Sequence, residues 1–354
     1  MSFALTEDRE ELRRVVRRFF EDKAGPAALR ETIDGDARYD EKLWDQMAGE
    51  LGLPALHIPE AFGGQGFSFV EAAVVFEEAG RALLAAPLFS SVGLAVNAIL
   101  AAGTDEQQQR LLPGIAAGTV LATAAVTDRG ASVAADGGVL DGTIRFVVDG
   151  LTADLLVVPA GGDLYVVDGR SRGVERAAMT TLDLTRPQAV VTLTGAPAER
   201  LGDGGRTSTA RAADLTTVCL AAEMAGGARR CLEASVAYAQ ERIAFGVPLG
   251  SFQAIKHQLA ELLMKVEQAT AVCYHAARAA AENDPELPLL ASIAKAYCSD
   301  VYTEVATETI QIHGGVGFTW EHDAHLWFRR ARASEVMLGD ARHHRERIAA
   351  WVLD

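Results

Sequence analysis

The chain has 354 residues, of which 49% are hydrophobic and 23% are charged. This length accommodates two or three domains, each with its own core, and this composition excludes a disordered chain. Asp and Glu outnumber Lys and Arg by 48 to 33, which gives a net charge of −15. Because a protein that neutralises nucleic-acid phosphates needs the opposite charge, we expect no nucleic-acid partner.

The four cysteines, Cys219, Cys231, Cys273 and Cys298, show neither CxxC spacing nor a neighbouring histidine pattern of the kind that binds zinc. They predict buried thiols in a reducing compartment and no metal site. The first residues lack a basic region followed by an apolar run, which predicts no secretory signal. The apolar runs are too short to span a bilayer, so we expect a cytoplasmic protein with no membrane insertion.

Residues 1–120 carry helical patterns. Thr6 is a good N-cap, and the acidic residues of the turn that follows it suit the positive end of a helix dipole. Apolar residues then recur at helical spacing as far as Phe20. Two further helices are predicted over residues 42–51 and 68–84, and the stretch 58–66 between them predicts a loop because of its proline and glycines.

Residues 121–205 contain short β-branched runs, separated by Asp-Gly and Gly-Gly pairs that favour turns. The runs are residues 139–140, 144–148, 155–158, 164–167 and 189–193. This pattern is typical of a small antiparallel sandwich or barrel. Residues 206–354 return to helical spacing, and their alanine-rich segments favour a helix bundle.

The sequence therefore predicts an α+β protein with three domains. These are an N-terminal helical domain (1–120), a middle β domain (121–205) and a C-terminal helical bundle (206–354). Such an order is uncommon, because most chains of this size alternate strands and helices.

Two glycine-bearing segments stand out in the C-terminal domain. Residues 241–253 read ERIAFGVPLGSFQ, and residues 311–318 read QIHGGVGF. Glycines let a backbone approach a ligand closely, although each segment by itself also suits a helix C-cap and an interhelical turn. We expect the helix that carries Arg242 to end at Gly246, a new helix to begin after Pro248, and another to end near Gln311.

In this order and spacing, the two segments resemble the RxxFGxPLxxFQ and QxxGGxGF patterns of the acyl-CoA dehydrogenase family. The resemblance extends over nearly the whole chain, through PExxGGxG at residues 59–66 and DGxxxxVxDGxxAD at residues 141–154. It implies an N-terminal helical domain, a small antiparallel β sandwich or barrel and a C-terminal four-helix bundle. It also implies FAD, an acyl-CoA substrate desaturated between its α and β carbons, a homo- or hetero-tetramer, and an electron-transfer flavoprotein as electron acceptor.

The resemblance assigns roles to individual positions. The pyrophosphate and adenosine of an FAD held mainly by the neighbouring chain would be bound by Arg242, Phe245, Gln253, Gln311, Gly314 and Gly315. The β-domain residues that serve FAD would be Thr127, Ser132 and Phe146, and those that serve the substrate would be Asp214, Leu338 and Gly339. Arginine offers a forked donor to phosphate, and adjacent glycines expose amide groups.

The chain departs from the family pattern beside the flavin. Where the family reads TEPxAGSD, residues 127–132 read TDRGAS, which keeps Thr127 and the acidic Asp128. Where the family reads W-I-T, residues 146–148 read FVV. The ring is kept, but Val148 removes a hydroxyl donor, a loss on the order of 1 kcal/mol or more if that contact is buried.

The largest departure concerns the base that removes the α proton. The two positions that hold the catalytic Glu in different members of the family are Leu338 and Thr216 here. The sequence therefore identifies no catalytic base, although Asp340 lies only two residues from Leu338. The backbone N–H of Leu338 would still polarise a thioester carbonyl, because that donor does not depend on the side chain.

Four explanations stay open. The chain is one subunit type of a two-gene heterotetramer, of the kind known in this family for steroid side-chain degradation, and completes the FAD site of a partner that carries the Glu. Alternatively, it is an active dehydrogenase whose base is Asp340, Glu335 or Glu241. It otherwise performs another flavin oxidation, such as a monooxygenation or a nitroalkane-type oxidation, or it has a structural or CoA-ester-binding role without flavin. Because a positioned base contributes roughly 100- to 10,000-fold to a rate, the chain alone would be slow without one.

Overall fold

The computed structural model describes residues 5–35, 38–127 and 130–353 of the chain, which form two compact units. We call them the sheet unit, Arg30–Ala72 with Ala85–Cys219, and the bundle unit, Met1–Leu29 with Ala73–Leu84 and Leu220–Asp354. Because both units gather segments that are distant in the chain, the three-domain division at residues 120 and 205 stays a prediction.

Helices dominate both ends of the chain, and most of the strands lie between them. The α-helices are α1 (Glu7–Lys23), α2 (Pro26–Asp34), α3 (Glu41–Gly49), α4 (Phe69–Arg81), α5 (Asn97–Ala102), α6 (Asp105–Ala116), α7 (Arg206–Glu241), α8 (Gln253–Glu282), α9 (Leu287–His313), α10 (Ala324–Val336) and α11 (Ala341–Leu353). The strands are β1 (Ala122–Ala124), β2 (Ala131–Asp136), β3 (Val139–Val148), β4 (Leu155–Ala160), β5 (Asp163–Asp168), β6 (Val174–Ala178), β7 (Gln188–Pro197), β8 (Glu199–Arg200), β9 (Ile243–Ala244) and β10 (Val247–Pro248).

Local capping explains where the first helix begins. The Thr6 hydroxyl accepts a hydrogen bond from the backbone N–H of Arg9 and so caps α1, as its sequence predicts. The helices predicted over 42–51 and 68–84 correspond to α3 and α4. Helices α2, α5 and α6 and a π-helical segment, Phe89–Val96, were not predicted, because short or polar stretches carry little helical periodicity.

Two four-stranded sheets of the sheet unit enclose one apolar core. Their strand orders are β1-β4-β5-β8 and β2-β3-β7-β6. Buried side chains of both sheets, among them Leu156 and Val167 from one and Leu140 and Val191 from the other, belong to the same hydrophobic cluster. The predicted small β sandwich is confirmed, with the difference that β1 pairs with β4 in parallel.

The Asp-Gly and Gly-Gly pairs have different roles in this sandwich. Asp136 pairs directly with Val139, so Gly137 and Gly138 form the tight two-residue β2–β3 turn. Their φ values are 54° and 83°, which suit such a turn. Asp141 and Gly142, by contrast, lie inside β3, so the two runs predicted on either side of them are one strand. A Cβ on Gly142 would collide with the backbone of Ser132 on β2, which explains the glycine there.

Helices α4 and α7 pass each other closely in the bundle unit. A Cβ on Gly80 would collide with the Glu223 carbonyl, and one on Gly226 would collide with the Glu77 carbonyl. The buried guanidinium of Arg330 bonds to the Glu223 carboxylate and donates to the Leu84 carbonyl at 3.2 Å, which ties α10 to α7 and to the turn that follows α4.

All four cysteines are buried free thiols, as predicted. Burial raises the pKa of Cys231 and of Cys298 to about 12, so these thiols are inert as nucleophiles. Within the described residues, none of the helices has both the length and the apolar character needed to cross a membrane.

Candidate functional site

The two glycine-bearing segments leave the same end of the bundle unit. The Tyr238 ring, in the last turn of α7, stacks on the His313 ring at the end of α9, with centroids 4.2 Å apart. The Tyr238 hydroxyl also donates to the His313 carbonyl at 3.4 Å. Because the His313 Nδ1–H donates to the Thr309 carbonyl at 2.7 Å, local backbone satisfies this ring and holds it against α9.

The segment after α7 is a two-strand hairpin. Helix α7 ends at Glu241, so the prediction that it carries Arg242 and continues to Gly246 is wrong, and Arg242 is the first residue beyond it. Strands β9 and β10 pair, and Phe245 and Gly246 form the turn with φ of 53° and 84°. Formation of this hairpin explains the earlier helix end.

Phe245 projects from the tip of the hairpin. Its residue is 97% exposed, although its ring makes an edge contact with Phe252 at a centroid distance of 6.1 Å. A phenylalanine with positive φ and almost no burial costs free energy, which this single edge contact recovers only in part. The exposed Arg242 precedes it, and the exposed Gln253 opens α8.

The segment after α9 presents an open backbone. Gly314 has φ of 65° and ends α9, which extends two residues beyond the predicted end at Gln311. No heavy atom of the described residues lies within 4 Å of the position that a Cβ would take on Gly314 or on Gly315. Gln311 is exposed on the last turn of α9, so a ligand can reach this side chain and both glycines.

A bulge in the sheet unit exposes an aromatic ring. The register between β3 and β7 shifts between Ile144 and Val147, and Phe146 inside this shift has φ of 63° and is 55% exposed. Positive φ at an aromatic residue is rare, and such bulges re-aim side chains next to functional sites. Val148, by contrast, is buried, and its carbonyl accepts a hydrogen bond from the Thr123 hydroxyl at 2.7 Å.

Thr127 and Ser132 line a cleft of about 770 Å³ in the sheet unit. The lining also includes Gly161, Gly162 and the exposed side chain of Arg206. Arg206 was not identified from the sequence, although a cation in the first turn of a helix opposes the helix dipole and could have marked it. Asp128, which matches the family's acidic residue, lies outside the described residues.

Two predicted positions on α7 are buried. Asp214 is only 2% exposed, so its side chain is not solvated. This burial fits a role in binding a ligand or in stabilising the fold. The Thr216 hydroxyl donates to the Ala212 carbonyl one turn earlier, at 2.9 Å. This hydroxyl is therefore engaged within its own helix, and Thr216 offers no base.

The buried Lys295 side chain holds the turn that contains Leu338 and Gly339 through hydrogen bonds to backbone carbonyls. The Nζ of Lys295 donates to the Ser299 hydroxyl at 2.9 Å, to the Gly339 carbonyl at 3.0 Å and to the Glu335 carbonyl at 3.1 Å. Lys295 has no solvent exposure, and this burial lowers its pKa to about 8. Lys295 was not identified from the sequence, because a sequence offers little to distinguish such a lysine from a solvated one.

His344 holds the same turn through a second contact. Burial first, and the Lys295 charge second, lower the pKa of His344 to about 3, so its ring is neutral at pH 7. Its Nε2–H donates to the Leu338 carbonyl at 3.2 Å. Leu338 itself has φ of 59°, which is uncommon for a leucine. The hydrogen bonds of Lys295 and His344 to this turn maintain that backbone conformation.

The candidate bases have other partners. Asp340 accepts a hydrogen bond from the backbone N–H of His343 at 2.9 Å and so caps α11. Glu335 pairs with Arg332 at 2.6 Å, and Glu241 is exposed at the end of α7. A catalytic role for Asp340 stays a prediction. In the described part of the chain, no three His, Cys, Asp or Glu side chains are arranged to hold a metal ion.

Comparisons with known proteins cover almost the whole chain. The family model described as acyl-CoA dehydrogenase, N-terminal domain, matches residues 6–119, and that described as acyl-CoA dehydrogenase, C-terminal domain, matches residues 203–353. Acyl-CoA dehydrogenase IpdE2 of Mycolicibacterium smegmatis is 35% identical over 98% of this chain and 100% of its own length.

Two solved structures with similar folds are complexes of two chains. One is the ChsE4–ChsE5 complex from Mycobacterium tuberculosis, with a TM-score of 0.92, 29% identity and coverage of 100% of this chain and 99% of the other. The second is the steroid ACAD Tcur3481–Tcur3483, studied as a G363A variant, with a TM-score of 0.90, 30% identity and coverage of 98% of both chains.

Proposed function

The chain belongs to the acyl-CoA dehydrogenase family, and we propose that it is one subunit of a FAD-dependent assembly that desaturates a CoA thioester. In this assembly a related chain supplies the catalytic carboxylate, and the present chain completes an FAD site. The observation that carries the proposal is the hairpin of Phe245, which is 97% exposed, beside the open backbone of Gly314 and Gly315. Such a surface requires a ligand or a second chain to cover it.

The residues of the bundle unit fit the phosphate half of FAD. Arg242 is an exposed forked donor, and side-chain-free glycines let a pyrophosphate approach the backbone. In the sheet unit, the outward ring of Phe146 offers an apolar face to an isoalloxazine, while buried Val148 offers no hydroxyl. Bound FAD would accept a hydride from the β carbon of the acyl chain.

The chain's own residues contribute orientation and polarisation. The Leu338 side chain cannot accept a proton, but its backbone N–H can donate to a thioester carbonyl and so increase the acidity of the α proton. Lys295 and His344 fix this turn through its carbonyl groups, which leaves the amide direction set before substrate binds. Arg206 supplies a cation for a CoA phosphate in the cleft of the sheet unit.

Relatives support the finer assignments of partner and substrate. The two-chain complexes ChsE4–ChsE5 and Tcur3481–Tcur3483 support a hetero-oligomer over a homo-oligomer. The steroid relative supports an acyl group derived from a steroid, and an electron-transfer flavoprotein is the electron acceptor that the family membership favours.

A pair of glycine variants tests the FAD site. Gly315→Val places a branched side chain where the proposed pyrophosphate approaches, and we expect the flavin absorbance of the purified assembly to fall at least tenfold. Gly49→Val is the matched control, since Gly49 has equally open surroundings on α3 and no assigned role. Equal FAD content in the two variants would contradict the proposed site.

The second candidate is an independent dehydrogenase whose base is Asp340. The exposure of this side chain and its place two residues after Leu338 favour it, although it already caps α11. Asp340→Asn keeps the cap and removes the base. Unchanged turnover in this variant would eliminate Asp340, whereas a loss of 100-fold or more would support it.

A further inference from the structure

Residues 314–323, which we call the connecting segment, join α9 to α10 and include the two glycines assigned to FAD. Among its residues, all of which are described, Gly317 is the only buried one, so the segment has almost no core of its own. A Cβ on Gly317 would lie 2.9 Å from the Cβ of His313 and 3.1 Å from the Ile310 carbonyl oxygen. Gly317 therefore packs directly on the end of α9, against His313.

His322, near the other end of the connecting segment, contacts the same histidine. Its ring lies against the His313 ring, with centroids 4.6 Å apart and planes inclined at 48°. Its Nδ1 accepts a hydrogen bond from the Ala324 N–H at 3.1 Å and so satisfies one of the backbone donors at the start of α10. The connecting segment thus rests on His313 at two points, Gly317 and His322.

These contacts suit two neutral imidazole rings. The His313 Nδ1 donates to the Thr309 carbonyl at 2.7 Å and therefore carries a hydrogen, whereas the His322 Nδ1 accepts from Ala324 and carries none. An extra proton on His322 would occupy the nitrogen that accepts the Ala324 N–H. An extra proton on His313 would charge a residue that is only 5% exposed.

The surroundings of His313 offer nothing to balance such a charge. The titratable groups that face it are Tyr238 from α7 and His322 from the connecting segment, and α9 itself contributes the Thr309 carbonyl. No carboxylate in the described part of the chain forms an ion pair with this ring. Burial lowers the pKa of His313 from 6.5; the bond to Thr309 opposes this shift, and the charge of His322 adds to it. A ring released to solvent binds a proton more readily, so acid favours release.

We propose that His313 is a positioning residue for the FAD site, which holds the backbone of Gly314 and Gly315 through Gly317 and His322 while its ring is neutral and releases the connecting segment when it is protonated. This inference rests on the proposed function, because it takes the two glycines as FAD-binding residues. A solvated histidine has a pKa of about 6.5. The released state should therefore gain up to about tenfold in population between pH 7.5 and pH 5.5, and loss of FAD through that state should accelerate by the same factor.

The fluorescence of released flavin measures this rate in the FAD-loaded assembly. We expect the unmodified protein to release FAD about three- to tenfold faster at pH 5.5 than at pH 7.5. His313→Phe keeps a ring that can stack on Tyr238, and His313→Asn keeps a donor for the Thr309 carbonyl; neither side chain titrates, so both variants should lose this dependence on pH. His275→Phe is the matched control and should retain it, since His275 is exposed on α8 and has no assigned role.

Hydrogen exchange followed by mass spectrometry detects the release without FAD. Protection factors of residues 314–323, corrected for the intrinsic effect of pH, should fall about three- to tenfold from pH 7.5 to pH 5.5 in the unmodified full-length chain and stay constant in both His313 variants.

The two measurements together separate the outcomes. The same dependence on pH in the unmodified protein and in both His313 variants overturns the proposal. Loss of protection in acid without faster release of FAD also overturns it, and contradicts the FAD site assigned to Gly314 and Gly315 as well. Loss of FAD in Gly315→Val, combined with release from the unmodified protein that does not depend on pH, refutes the role of His313 and leaves the FAD site standing.

Discussion

Lys295→Met removes the ammonium that holds the Leu338 turn and keeps the apolar stem of the side chain. In the protein, this ammonium donates three hydrogen bonds at 2.9–3.1 Å, two of them to backbone carbonyls of Glu335 and Gly339. The variant leaves those acceptors unsatisfied, at a cost of about 1–3 kcal/mol for each. It also relieves the penalty of burying a charge, so the two effects oppose each other at pH 7.

The dependence on pH separates the two effects. Burial lowers the pKa of Lys295 from 10.5 to about 8, so the unfolded chain binds more protons than the folded chain between those values. Stability conferred by Lys295 is therefore lowest at pH 7 and rises with pH up to about 10.5. The interval between the two pKa values corresponds to about 3 kcal/mol.

Urea unfolding at a fixed protein concentration, from pH 7 to pH 10, measures this difference. We expect the unmodified protein to become more stable relative to Lys295→Met as the pH rises. The difference between their free energies of unfolding should increase by about 2–3 kcal/mol from pH 7 to pH 10. Lys265→Met is the control, because Lys265 is partly exposed, pairs with Glu304 and has a raised pKa. A difference between unmodified protein and Lys295→Met that stays constant or falls with pH would show that the buried ammonium does not titrate in this way.

Three further changes test individual contacts. Phe245→Ser should weaken subunit association in sedimentation experiments about 10- to 100-fold, since the residue is 97% exposed within one chain and the proposed assembly covers it, whereas Phe67→Ser should not affect association. Leu338→Glu restores a carboxylate and should raise turnover of the FAD-reconstituted chain about 100-fold or more over Leu338→Gln; equal rates in both would argue against Leu338 as the vacant base position. Arg206→Ala should weaken CoA binding in calorimetry roughly tenfold, and Arg172→Ala, an exposed arginine outside the cleft, should not; equal loss in both would remove Arg206 from the site.

The sequence predicts the elements whose periodicity reflects burial on one face. Helices α1 and α3 and the inner strands of the sandwich fall in this group, because a regular apolar stripe is both visible in the sequence and required by the core. The Asp141-Gly142 pair misleads, since its glycine is needed for close strand approach and not for a turn. An Asp-Gly pair looks the same in the sequence whether it forms a turn or lies inside a strand.

The candidate site is predictable only where a motif fixes it. The segments around Phe245 and Gly315 were identified from the sequence, and the structure adds that stacking of Tyr238 on His313 brings the ends of their helices together. Lys295 was missed because its burial depends on packing among distant helices, not on its neighbours in the chain.

The FAD content of the chain, purified alone and then after co-expression with a related chain that carries Glu at the position of Leu338, tests whether this protein completes a shared FAD site. We expect less than one FAD per chain and slow turnover for the protein alone, and a rise in both when the related chain is present. Full FAD occupancy and rapid acyl-CoA turnover in the protein alone would contradict that role.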